Sequence, residues 1–205
     1  HIFGNAAFNA DQPAFIGHAK LPLAMATRSQ NHLNAIKRDL GAAADGSVIV
    51  APTQTLKDTL ALDLGERKLT LRAWRTAHTD NDVTVFDETT GTLWLSDLLF
   101  IEHTPVVDGK LKGWLAVMDE LRGIKANSVI PGHGAVQKNW PTAAKNQQRY
   151  LESLLNETRQ MLSDRKTMQQ AVETVGVSER DQWQLFDLFH KRNVTTAFAE
   201  LEWED

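Results

Sequence analysis

The feature that most constrains this chain is a change of hydrophobic period near its middle. Over 68–77 apolar residues fall at alternate positions through Leu69, Leu71 and Ala73. The runs 83–86 and 92–96 flank Asp87-Glu88-Thr89-Thr90-Gly91. A period of two suits a half-buried strand, and two such runs around a Gly-containing loop predict a hairpin. At 111–121 the apolar positions become 111, 114, 115, 118 and 121, the period of a helix, with Gly123 as its stop. A brief strand follows at 128–130. Pro141 suits the first turn of a helix that runs through Leu151, Leu154, Leu155 and Leu162 to about Asp164. Two shorter helices are expected at 167–175 and 179–191, the second carrying Trp183, Phe186 and Phe189 on one stripe. Before the alternating region, 4–8 could open a helix, 21–26 reads as a short buried strand, Ser29 caps a helix to about Leu40, and 56–64 is a strand. Mixed strands and helices place the chain in the α/β or α+β class. With no repeat, low-complexity tract or linker, 1–205 reads as a single domain.

Composition narrows the function classes. The formal net charge is −4, and no run of Lys or Arg reads as a nucleic-acid patch. No apolar stretch approaches the roughly 20 residues of a membrane span. Cysteine is absent, which removes disulfides, thiolate ligands and a Cys nucleophile together, and leaves His and Asp as the strong metal ligands. The chain opens at His1-Ile2-Phe3 with no starting Met and no signal peptide, which reads as a processed or truncated beginning.

Three segments share one form: an apolar strand ending in a potential metal ligand. They are Arg75-Thr76-Ala77-His78-Thr79-Asp80-Asn81-Asp82, Leu93-Trp94-Leu95-Ser96-Asp97 and Val129-Ile130-Pro131-Gly132-His133-Gly134. Imidazole with carboxylate suits zinc, and also iron or manganese. Each segment alone has a plainer reading, since Pro-Gly-His-Gly is also a turn and Asp97 could cap Leu98 and the residues after it. Their order carries the weight.

That ordered set resembles the metallo-β-lactamase superfamily, with His78, Asp97 and His133 in the order of its metal ligands. His1-Ile2-Phe3-Gly4-Asn5-Ala6-Ala7-Phe8 resembles the last His of its first ligand loop and the segment after it. His78-Thr79-Asp80-Asn81-Asp82, Leu95-Ser96-Asp97-Leu98-Leu99-Phe100, Pro105-Val106-Val107-Asp108-Gly109 and Phe198-Ala199-Glu200-Leu201-Glu202-Trp203-Glu204 are similar to the quinoprotein relay-system zinc metallohydrolases. Ser96 departs from the Gly common before that Asp.

The resemblance implies an αββα sandwich lacking much of its first sheet, with carboxy-terminal helices. It implies a metal-dependent hydrolase whose metal-bound hydroxide attacks an ester, thioester or amide-like bond of a small molecule. Asp97 would be catalytic as the bridge between two ions, with His1, His78 and His133 as the other ligands present. Asp80, Asp82 and His103 would support the site or touch substrate. The remaining ligands are expected before residue 1, so this chain would hold one zinc ion or none and be inactive, against up to two ions in the whole protein. The name of the closer group implies a bacterial periplasmic setting. An incomplete sandwich exposes an apolar sheet face, which predicts a homodimer through it. The rival reading is a non-catalytic binding or assembly protein that keeps the fold. Of the other histidines, His18 and His32 are expected at the surface, and His190 near the end of a helix.

Overall fold

The computed structural model describes residues 2–204 of the 205. The chain divides into two compact units, residues 1–58 and 59–205.

In the first unit, β1 (Ile16–His18) pairs in parallel with β2 (Gln54–Leu56). A parallel pair needs a crossover, and α1 (Leu21–Leu40) supplies it. A 3-10 stretch, Asn5–Asp11, stands where a helix was expected to open. The expected strand at 21–26 is instead the start of α1. Pro22 sits in the first turn, where its missing N–H costs nothing and its fixed φ already suits the helix. Ser29 is therefore no cap but an interior residue whose hydroxyl donates back to the Met25 carbonyl. Gly41, at φ +57°, ends the helix at the expected place.

In the second unit, β3 (Thr59–Asp63), β4 (Lys68–Ala73), β5 (Val83–Asp87), β6 (Thr92–Phe100) and β7 (Ser128–His133) form one sheet in that order. The first four are antiparallel neighbours, and the predicted hairpin is β5–β6, with Val85 opposite Trp94. β7 runs parallel to β6, reached through α2 (Leu111–Arg122). All five apolar positions that defined α2 are buried, as is Val117 between them. Fully burying such side chains is worth roughly 1.5–3 kcal/mol each. They meet Leu93, Leu95, Leu98 and Leu99 of β6, Val129 of β7, and Tyr150, Leu151 and Leu154 of α3 (Lys145–Ser163) in one core.

α4 (Met168–Thr174) begins at a capping box in which Thr167 and Gln170 satisfy each other's backbone N–H groups. The expected helix at 179–191 is broken. A 3-10 stretch, Val177–Gln182, is followed by Leu185 in the left-handed region, and α5 runs Phe186–Leu201. Trp183 thus lies outside the helix, yet Trp183 and Phe186 are core residues as expected. Among the described residues, no helix is long and apolar enough to cross a membrane.

Candidate metal centre

The three segments singled out in the sequence converge inside the second unit. His78 lies five residues beyond β4, in a turn that its neighbours hold shut. Asp82 accepts from the Thr79 amide at 2.9 Å and from its hydroxyl at 2.6 Å, and the Asp82 carbonyl accepts from Trp74 N at 3.0 Å. The turn rests on the start of α2, where Asp108 N donates to His78 O and Lys110 N to Ala77 O. Two glycines permit that contact. A Cβ on Gly109 would stand 2.4 Å from Ala77 O, and one on Gly113 2.1 Å from Thr76 O. Trp114 then meets the His78 ring edge-on, with centres 5.2 Å apart.

The His78 imidazole is buried, and Nδ1 lies 2.6 Å from the Val106 carbonyl oxygen. A carbonyl only accepts, so Nδ1 carries a proton, and Nε2 is the ring atom left to face a ligand. That Nε2 faces Asp97 Oδ2 at 3.6 Å.

Asp97 is not at a strand end, as the sequence suggested, but within β6. The pairing of β6 with β7 shifts register on both sides of Ser96, whose φ is +51°. Such an irregularity re-aims a side chain. Here the carboxylate comes to lie directly over Gly132 of β7, where a Cβ would stand 1.9 Å from Asp97 Oδ1. His133 is the last residue of β7, and its Nε2 lies 3.6 Å from Asp97 Oδ1. Phe100 stacks on the His133 ring at 4.5 Å with 15° between planes, and Ile101 N donates to His133 O.

Each oxygen of Asp97 therefore faces a different imidazole. Two ligand atoms sharing one ion through bonds of about 2.0–2.2 Å stand roughly 3.3–3.6 Å apart. Both separations fit a cation between the partners, and imidazole nitrogen with carboxylate oxygen is a donor set that suits one. Set against this, no group of three or more His, Asp or Glu among the described residues has the full geometry of a metal site.

Of the other expected residues, His1 lies outside the described ones. Asp80 is exposed and accepts from the Asn81 side chain, so it belongs to the turn. Asp82 clamps the turn rather than His78 itself; burial raises its carboxyl above the ordinary range, opposed by the Thr79 hydrogen bonds. His103 does approach, with its ring centre 5.8 Å from that of His133. His18, expected at the surface, is buried in β1 with Nδ1 accepting from Lys20 N. His190 is buried in α5, not at its end, between the Tyr150 hydroxyl and the Val175 carbonyl, and burial lowers its pKa. His32 is exposed on α1, as expected.

Sequence reasoning missed Gly109, Gly113 and Gly132, whose bare Cα atoms allow close approach to the His78 turn and to Asp97, and the aromatic neighbours Phe100 and Trp114. The spacing of Gly109 and Gly113 at the start of a predicted helix was a readable signal. The Val106 carbonyl had none, because every residue carries one.

Among solved structures, the chain is similar to a metallo-β-lactamase family protein from Thermus thermophilus, with a TM-score of 0.64 and 19% identity over 99% of this chain and 70% of that one. It is similar to a metallo-β-lactamase from Pontibacter korlensis, with a TM-score of 0.55 and 17% identity over 74% of this chain and 63% of that one. A double mutant of a sec-alkyl sulfatase matches with a TM-score of 0.58 and 16% identity over 77% of this chain and 28% of that one. The chain thus spans under two thirds of the Pontibacter protein's length. No protein-family model matches the chain, and no curated protein sequence does.

Proposed function

We propose, proceeding from the metallo-β-lactamase fold of this chain, that His78, Asp97 and His133 are metal ligands of a hydrolase acting on a small molecule. The observation that carries the reading is the division of Asp97 between two imidazoles, each Nε2 at 3.6 Å from its own carboxylate oxygen. Zinc suits imidazole and carboxylate best, with iron and manganese as alternatives. A bound divalent cation supplies an activated water near neutral pH and polarises the bond to be cleaved.

The chain's own residues prepare that chemistry. The Val106 carbonyl holds the His78 proton on Nδ1 and so keeps Nε2 available. The bulge at Ser96 and the bare Cα of Gly132 seat the Asp97 carboxylate. Phe100 fixes the plane of His133. Ester, thioester and amide-like bonds are all within reach of such a centre. The fold alone does not choose, since a sec-alkyl sulfatase shares it.

For this chain by itself we expect no more than one weakly held zinc ion and negligible hydrolysis. Equilibrium dialysis with zinc tests the reading on the purified chain and on Asp97→Ala. Saturable binding by the wild type that Asp97→Ala abolishes is expected. Equal binding by both proteins would remove Asp97 from the ligand set.

A further inference from the structure

We propose that Asn193 of α5 is a positioning residue for His78, acting through the peptide unit that joins Val106 to Val107. What that position serves rests on the reading of His78 as a ligand; the position itself does not.

The segment 104–107 lies outside every strand and helix, so its backbone groups have no ladder to join. Pro105 and Val107 are nonetheless buried, and buried backbone groups are costly to leave unpaired. Asn193, itself fully buried, supplies both partners. Val107 N donates to Asn193 Oδ1 at 2.9 Å, and Asn193 Nδ2 donates to the Pro105 carbonyl at 2.6 Å. The amide fits only this way round, because Val107 N only donates and Pro105 O only accepts. The other Nδ2 hydrogen goes to the Tyr150 hydroxyl at 2.9 Å. Tyr150 is held in turn by His190 Nδ1 at 3.0 Å, and His190 Nε2 by the Val175 carbonyl at 2.7 Å. Asn193 is therefore fixed from behind by buried groups of α3 and α5.

The link to His78 is geometric. The peptide between Val106 and Val107 is planar and trans, so its N–H and C=O point in opposite directions. Anchoring the Val107 N–H on Asn193 aims the Val106 oxygen the other way, where His78 Nδ1 lies 2.6 Å from it. Asp108 N donates to His78 O at 3.0 Å, so the segment is gripped between α5 and the His78 turn. With Nδ1 committed to a carbonyl, Nε2 is the atom that faces Asp97 Oδ2. α5 touches the following stretch again, through Arg192 to Asp108 and through Glu200 to the Leu111 and Lys112 amides. Those contacts lie beyond the peptide and do not set its plane. All of these groups belong to the second unit.

Two nuclear magnetic resonance measurements on the whole chain, neither needing zinc, decide the matter. In isotopically labelled unmutated protein, couplings across hydrogen bonds should join Val107 N to Asn193 Cγ and His78 Nδ1 to the Val106 carbonyl carbon. In Asn193→Leu and Asn193→Asp the His78 Nδ1 proton should exchange with solvent at least about tenfold faster, the order expected when one buried hydrogen bond no longer holds a group closed. Tyr150→Phe removes a buried partner of the same network but keeps both backbone bonds of Asn193, so its His78 proton should exchange as in the wild type. General loosening of the core would speed all three alike and overturn the inference. Wild-type exchange at His78 in folded Asn193→Leu overturns it too. Where the Asn193 variants do not fold, absence of either coupling in the unmutated protein overturns it. Zinc binding that folded His78→Ala leaves unchanged overturns instead the reading of His78 as a ligand, and the couplings do not depend on that result.

Discussion

Replacing Gly132 by alanine is the sharpest test of how the centre is built. An added Cβ would stand 1.9 Å from Asp97 Oδ1, 2.8 Å from Asp97 N and 2.8 Å from the Ser96 carbonyl carbon. The first contact is with a side chain, which can turn away, but turning removes Oδ1 from its position facing His133 Nε2. The other two are with backbone at the register shift between β6 and β7, and relieving them means parting the strands. Overpacking of this kind costs about 1–3 kcal/mol. Gly132→Ala should therefore lower stability by that amount in urea denaturation and also weaken zinc binding. In an Asp97→Ala background the side-chain contact is gone and only the backbone contacts remain. The same substitution should then cost about 1 kcal/mol less, a coupling of ordinary size for touching residues. A cost below about 0.5 kcal/mol in the wild-type background, with zinc binding intact, would refute the claim that the carboxylate is seated on a bare Cα.

Two further outcomes are expected. Ser96→Gly should stabilise the chain by about 0.5–1 kcal/mol in urea melts, because it relieves a left-handed residue worth about 1–2 kcal/mol and adds part of that back as unfolded-chain entropy; a loss of stability would show that the Ser96 side chain makes a contact that matters. For Asp87, burial works to raise the carboxyl, but hydrogen bonds from Arg67, Thr90 and the Thr89 and Thr90 amides outweigh it and hold the pKa at about 2. That lies below the unfolded value of about 3.9, so the stabilisation is present above about pH 4 and lost as pH falls toward about 2. Between about pH 5 and about pH 2.5 the urea midpoint should therefore fall further for the wild type than for Asp87→Asn, and equal falls would contradict the assignment.

The three candidate residues were legible through their order rather than singly: each alone has a plainer use as part of a turn or as a cap, but His78, Asp97 and His133 each follow an apolar run whose pattern they break. Helix α2 was legible for the opposite reason: its five apolar positions are buried because packing chose them. What failed was what depends on backbone or on competing local signals. An apolar run at 21–26 is as good a strand as a helix until Pro22 is read as a first-turn residue rather than as an interruption. The break at Leu185 needs a left-handed leucine, which no residue preference announces.

Asp97 combines both cases. Its identity was readable, but its place was not, because the sequence ends the strand at Asp97 while β6 continues to Phe100. The strand can continue because Leu98, Leu99 and Phe100 are all buried and core-forming, with Phe100 N bonded to the buried Gln147 side chain. The irregularity that turns the carboxylate toward both imidazoles depends on a positive φ at Ser96, where a glycine would have advertised it. A serine there hides the bulge from the sequence while preserving its consequence, which is that one carboxylate inside a strand faces two imidazoles, one from each oxygen.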